Sequence, residues 1–234
     1  RSGREITATP YHPLFRLSEG KVIAVKAEEL KEGVRVAVPR KAGFVPVSKL
    51  FLELLDEITA DDALYVPFNP EFVQIARRLK GNLEWGELSD KLGIPKNALE
   101  GLLGGQSINF CFLVKMLRFS GLSDESIAKM IPFVKGKTTG ITCRVPWQNT
   151  PEFARLLGYL LAEGRLPEHH QIWFTNGREE IVRDYASLVE QVFGLRVTIN
   201  EYKANCWDVL AYSEPARTIL KKFGMRSPTA QKTI

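Results

Sequence analysis

The segment from Thr150 to Gly164 constrains this chain most. Thr150 is a helix N-cap residue, Pro151 suits the first helical position, and Glu152 suits the first turn. The run that follows, Phe-Ala-Arg-Leu-Leu-Gly-Tyr-Leu-Leu-Ala-Glu, is apolar almost all round. A helix this short with that pattern belongs inside protein, and Gly164 is expected to stop it in a left-handed conformation. Its surroundings then follow from periodicity. Residues 165–170 form a weak first strand, and 171–176 alternate Ile172 and Phe174 with Gln171, Trp173 and Thr175. Asn176 and Glu179 read as a capping box for a helix on which Ile181, Tyr185, Leu188 and Val192 recur up to Gly194. Residues 196–202 and 206–212 form a hairpin around Lys203-Ala204-Asn205, and Ser213 caps a last helix that Gly224 ends. The order over 146–234 is αββαββα.

Upstream the pattern changes twice. Residues 1–46 read as an all-β piece, with strands at 5–9, 21–27 and 34–38 and a turn at Ser18-Glu19-Gly20. Residues 47–145 read as a helical segment, closed by a basic linker at 135–142. The fold class expected for the whole is therefore α+β in three parts. Three cysteines with no Cys-x-x-Cys spacing argue against a disulfide framework and a zinc knuckle. No apolar run reaches the roughly 18 residues of a membrane span, and the first residues carry no signal-peptide core. A soluble, cytoplasmic chain is expected. The net charge of +5 would suit a nucleic acid, but the excess lies in the first 50 residues and the remainder is nearly neutral. Charge alone therefore identifies no binding face.

Residues 156–164, Leu-Leu-Gly-Tyr-Leu-Leu-Ala-Glu-Gly, resemble the LAGLIDADG motif of homing endonucleases along its length. The αββαββα order behind them is the fold of one half of that family. A plain core helix with a Gly-x-x-x-Ala packing face accounts for Gly158 and Ala162 but not for Glu163. An acid at a helix C-terminus meets the negative end of the dipole, and a divalent cation would compensate it. The resemblance implies that Gly158 and Ala162 let this helix pair with its counterpart in a second half, giving a pseudo-dimer. It also implies that Glu163 holds Mg2+ against the scissile phosphates of double-stranded DNA. Glu stands here where Asp is commoner. The block Ala230 to Ile234 resembles one that carries a basic catalytic residue, which would be Lys232. On the strands, Gln171, Trp173, Thr175, Arg196, Thr198, Asn200 and Tyr202 lie on polar sides and are candidate DNA contacts, as a β-ribbon in the major groove. Any solvated sheet shows the same alternation. His169 and His170 have no partner at ligand spacing and are expected to be exposed.

Residues 3–13, Gly-Arg-Glu-Ile-Thr-Ala-Thr-Pro-Tyr-His-Pro, resemble the intein block that carries Thr-x-x-His, here Thr9 and His12. Residues 27–40 resemble the continuation of that splicing fold, with Val34 departing from the usual acid. The resemblance implies that His12, with Thr9 assisting, polarises the peptide joining the element to its flanking host segments, the exteins. Imidazole suits that work because it exchanges protons near neutral pH. The nucleophilic Cys or Ser that begins an intein, the His-Asn pair that ends one, and a second LAGLIDADG motif are not in the sequence. A fragment cut at both ends is expected.

Residues 84–122 resemble a helix-turn-helix, with a turn at Gly93-Ile94-Pro95 and a recognition helix led by Lys96 and Asn97. A small packing module explains the same pattern. Three functions therefore compete: a Mg2+-dependent DNA endonuclease in a self-splicing element, a splicing element whose endonuclease has decayed, and a helix-turn-helix regulator. Glu163 ranks the regulator last.

Overall fold

A computed structural model describes residues 7–18, 20–36, 51–137, 140–167 and 171–225. The chain divides into two compact units, Arg1–Pro46 and Val47–Ile234.

In the first unit, β1 (Pro13–Ser18) and β2 (Lys21–Lys26) form an antiparallel hairpin with Pro13 opposite Lys26 and Ser18 opposite Lys21. Gly20 takes φ +77° in the turn, which a residue without Cβ adopts at little cost. The strand expected at 5–9 does not form in its described part, since Thr7 to Thr9 are irregular and Glu5 and Ile6 lie outside the described residues. The first strand begins instead at Pro13. Of the strand expected at 34–38, Val36 makes one isolated bridge to Arg16, and Ala37 and Val38 lie outside the described residues.

The second unit begins with α1 (Leu54–Glu57), β3 (Leu64–Val66), α2 (Pro70–Lys80), α3 (Trp85–Leu92) and α4 (Lys96–Leu103). It continues through β4 (Ile108–Asn109), α5 (Phe110–Phe119), α6 (Asp124–Met130), β5 (Phe133–Gly136) and β6 (Thr142–Arg144). The segment expected to be helical thus also holds a four-stranded antiparallel sheet, in the order β4-β3-β5-β6. The expected linker at 135–142 supplies the facing ends of β5 and β6, with Lys135 opposite Thr142. The helix-turn-helix layout forms where it was expected. Gly93 is left-handed at φ +60°, Ile94 is buried, and Ser89 Oγ donates to the Ile94 carbonyl across the turn.

The remaining elements are α7 (Pro151–Ala162), β7 (Gly164–Arg165), β8 (Gln171–Asn176), α8 (Glu179–Phe193), β9 (Thr198–Lys203), β10 (Cys206–Tyr212) and α9 (Glu214–Lys222). Their order is αββαββα, and the four strands form an antiparallel sheet ordered β7-β8-β10-β9. Ile172, Phe174, Val209 and Ala211 project from one side of this sheet into the core. The unit is therefore mixed α+β, with two antiparallel sheets flanked by helices. Phe153 of α7 joins its parts, packing edge-on against Phe51 at 5.6 Å, Phe193 at 6.4 Å and Phe223 at 5.1 Å between centroids. Burying a ring of this size is worth roughly 1.5–3 kcal/mol. Polar ties cross the same region: Phe51 N–H donates to the Trp147 carbonyl at 2.7 Å, and Lys222 Nζ meets Asp62 Oδ2 at 2.7 Å. No described helix is long and apolar enough to cross a membrane.

Two expected caps form differently. Asn176 Oδ1 accepts the Arg178 N–H at 2.9 Å in a tight turn, so Arg178 rather than Asn176 is the N-cap of α8 and no capping box forms. Thr150 and Ser213 do cap α7 and α9, accepting from Phe153 N–H and Ala216 N–H, each at 3.2 Å.

Candidate functional site

The candidate site is built where α7 ends and the sheet begins. Phe153, Leu156 and Leu160 form the buried face of α7. The opposite face is open, with Ala154, Gly158 and Ala162 exposed. The expectation that this helix is enclosed all round thus holds for one side only. A Cβ at Gly158 would meet no atom within 4 Å, so the surface there is free of protein among the described residues. The turn of the helix is fixed from its flank. Arg155 Nη2 and Tyr159 Oη both donate to the Asp184 carboxylate on α8, each at 2.8 Å. That hydrogen bond raises the Tyr159 phenol above its ordinary range, because the carboxylate favours the protonated hydroxyl.

Glu163 is the C-cap residue, exposed, with its N–H donating to the Tyr159 carbonyl at 3.0 Å. The helix dipole opposes a carboxylate here by about 0.3–1 kcal/mol. The next residue departs from expectation. Gly164 is not left-handed but opens β7, opposite Phe174. Its need for glycine is steric, since a Cβ would lie 2.6 Å from Leu160 Cα and 2.8 Å from the Leu160 carbonyl oxygen. The obstacle is backbone, which cannot swing aside. Gly164→Ala is therefore expected to destabilise the unit by about 1–3 kcal/mol, as overpacking does. Urea unfolding measures this, and an unchanged midpoint would contradict the close approach.

The open face of the sheet carries the strand residues. Gln171, Trp173 and Thr175 are half-buried along β8, as the period of two predicted. On β10, Asp208 stands opposite Thr175 and Leu210 opposite Trp173. On β9, Asn200 stands opposite Asp208 and Thr198 opposite Leu210. Thr198 and Asn200 thus share one grid with the β8 residues. Arg196 does not join it, because β9 begins at Thr198 and Arg196 lies exposed in the preceding loop. The register slips between Cys206 and Trp207, leaving Tyr202 at the bulge with 70% exposure.

Two residues of this face escaped sequence reading. Asp208 is 9% exposed and accepts the Thr175 hydroxyl at 2.6 Å. Arg165, opposite Trp173, lays its guanidinium over the indole at 5.3 Å and reaches Thr175 Oγ1 at 3.5 Å. The signal for Asp208 was its place in the alternation of residues 206–212. Arg165 opens the weak strand expected at 165–170, but nothing local marks its place over Trp173.

The other candidates stand apart. Thr9 and His12 share an exposed turn in the first unit, closed by His12 N–H donating to the Thr9 carbonyl at 2.9 Å. Lys96 and Asn97 are exposed at the start of α4, with Lys96 Nζ 3.5 Å from Glu100 Oε1. Lys232, His169 and His170 lie outside the described residues. No group of three or more His, Cys, Asp or Glu gathers as a metal site among the described residues. Glu163 by itself offers one hard oxygen donor. That suits a share in a Mg2+ site completed by another carboxylate and by phosphate, since Mg2+ commonly takes one or two protein carboxylates.

Fold and site together describe an α+β unit with an exposed acid at the end of an open-faced helix, beside a polar sheet. No family model matches the chain. It is 21% identical to a glutamine–fructose-6-phosphate aminotransferase (isomerizing) of Methanocaldococcus jannaschii, over 86% of this chain but 18% of that protein. Against a DNA polymerase of Pyrococcus horikoshii the identity is 24%, over 82% of the chain and 19% of the polymerase. A replication factor C small subunit of Thermococcus kodakarensis is 56% identical over 41 residues, 17% of the chain and 5% of that protein. The chain thus spans a fifth or less of the length of these curated relatives.

Proposed function

We propose that this chain belongs to an intein, a self-splicing element, carrying a LAGLIDADG-type homing endonuclease that cuts double-stranded DNA with Mg2+. The observation that carries the reading is the end of α7, where exposed Glu163 follows the open Gly158 and Ala162 face. A second half of the same kind would pair on that face and bring a second acid beside Glu163. The paired carboxylates would hold Mg2+, which polarises a phosphoryl oxygen and activates water. The polar side of the sheet β7-β8-β10-β9 would meet the duplex. Residues 1–46 would belong to the splicing half, with Thr9 and His12 acting on the junction to the upstream extein, and Lys232 would serve the nuclease.

The relatives support the inserted-element part of the reading. An isomerizing aminotransferase and a DNA polymerase share no reaction by name, yet the chain matches a stretch of each that is a fifth or less of its length. A segment that recurs in unrelated hosts is what an inserted element predicts. The helix-turn-helix, with exposed Lys96 and Asn97 at the start of α4, is left without a separate regulatory role in this reading.

The test uses the full-length gene product and a plasmid carrying the uninterrupted host coding sequence. Linearisation that requires Mg2+ is the expected result. A plasmid left intact while the protein still splices would identify a decayed endonuclease and overturn the nuclease reading.

A further inference from the structure

We infer that Arg165 is a specificity-determining residue that reads one guanine in the major groove. The inference rests on the proposal that the polar face of β7-β8-β10-β9 meets DNA. Arginine recognises guanine best when its fork lies in the plane of the O6 and N7 acceptors. A free arginine side chain must lose rotamer freedom to reach that pose. Arg165 is already ordered from two directions.

The first is the Trp173 indole, 5.3 Å from the guanidinium carbon, which favours a cation over its face. Trp173 Nε1 is buried without a partner, so its polar end does not reach outward and the ring serves as a platform. The second is a hydroxyl whose direction is set from behind. Thr175 donates its proton to Asp208 at 2.6 Å, which leaves its oxygen lone pairs for Arg165 Nη2 at 3.5 Å. The relay therefore runs Arg165 to Thr175 to Asp208. Thr175 and Asp208 are positioning residues, and Arg165 stays exposed for a base.

The buried carboxylate anchors this arrangement from behind. Asp208 is 9% exposed and sits one hydroxyl away from the guanidinium. Its oxygen fixes the Thr175 hydroxyl and, through it, the guanidinium.

The experiment binds the full-length gene product to a library of duplexes with a randomised core, in Ca2+ so that DNA is held uncut, and sequences the bound fraction. The parent is expected to enrich G·C at one position by roughly 5- to 150-fold, the range of one bidentate arginine contact. Arg165→Ala should flatten that position and leave the others, and Arg165→Lys should weaken it, since lysine reaches O6 and N7 without the planar fork. Lysine keeps the charge but not the fork, so it separates the two readings. Thr175→Val should weaken the same position, because it releases the guanidinium. An unchanged consensus with a salt slope lowered by about one unit would make Arg165 a phosphate contact and overturn the inference. An unchanged consensus and slope would remove Arg165 from the interface and overturn it equally. A parent that enriches no sequence would overturn the site-specific nuclease itself, and the parent pool alone tells that failure from a failure of Arg165.

Discussion

Glu163→Gln in the full-length gene product is expected to lower Mg2+-dependent DNA cleavage by about a hundredfold or more, while DNA binding in Ca2+ persists. Glutamine keeps the shape and removes the charge that holds the cation. Loss of a Lewis acid worth several kcal/mol, at 1.36 kcal/mol per tenfold, gives at least that factor. The structure favours a clean experiment. Glu163 is exposed at the helix end, and no hydrogen bond or ion pair holds its carboxylate among the described residues. Removing the charge should also relieve a small conflict with the helix dipole, so stability should hold or rise slightly. Full cleavage by the Gln variant would show that this carboxylate does not hold the metal. A variant that neither cuts nor binds would point to damage of the DNA-facing surface instead.

Much of the unit that bears this acid was legible because its signals are local. Thr150 with Pro151 marks the start of α7, Ser213 marks α9, and Gly194 ends α8 at φ +69°. The alternation in 171–176 gave the two faces of β8 because one face is buried and the other is not. The strands that escaped are those without room for a period. β3, β4, β5 and β6 hold two to four residues each, and β3 finds its partners far along the chain, as Tyr65 opposite both Asn109 and Lys135 illustrates. Nothing local announces such pairings.

The site divided in the same way. Glu163 was visible as an acid against a dipole, whereas Arg165 depends on a cross-strand neighbour and Asp208 on a hydroxyl 33 positions away. A glycine after an apolar helix predicts a left-handed stop, and Gly164 is glycine for another reason. Sequence marks where a chain turns, and here the constraint is the Leu160 backbone 2.6 Å from where a Cβ would sit. Arg196 was assigned to a strand because the Val197 and Ile199 alternation extends back to it. Pairing with β10, which begins at Thr198 opposite Leu210, set the true start.

His12→Ala should slow cleavage at the upstream splice junction by roughly 10²–10⁴-fold, the usual worth of a positioned acid or base, and leave DNA cutting unchanged. The expectation follows from chemistry and from where the residue lies. An acyl shift at that junction needs a group to polarise the peptide and to protonate its nitrogen as it leaves. His12 and Thr9 share one turn, closed by the 2.9 Å bond from His12 N–H to the Thr9 carbonyl, and both are exposed. The turn is held independently of the imidazole. Ala27 N–H donates to the His12 carbonyl at 2.9 Å and Glu28 N–H to the Pro10 carbonyl at 2.8 Å, so backbone alone keeps its shape. Alanine at position 12 should therefore remove the imidazole without unfolding the hairpin. Glu163 belongs to the other compact unit, which is why nuclease activity should be spared. The measurement is the rate of upstream-junction cleavage under added hydroxylamine, which cleaves an ester or a thioester, with plasmid linearisation by the same preparation as the internal control. Parental cleavage at the junction would strip His12 of its role. Loss of both activities together would mean that the change acts through folding.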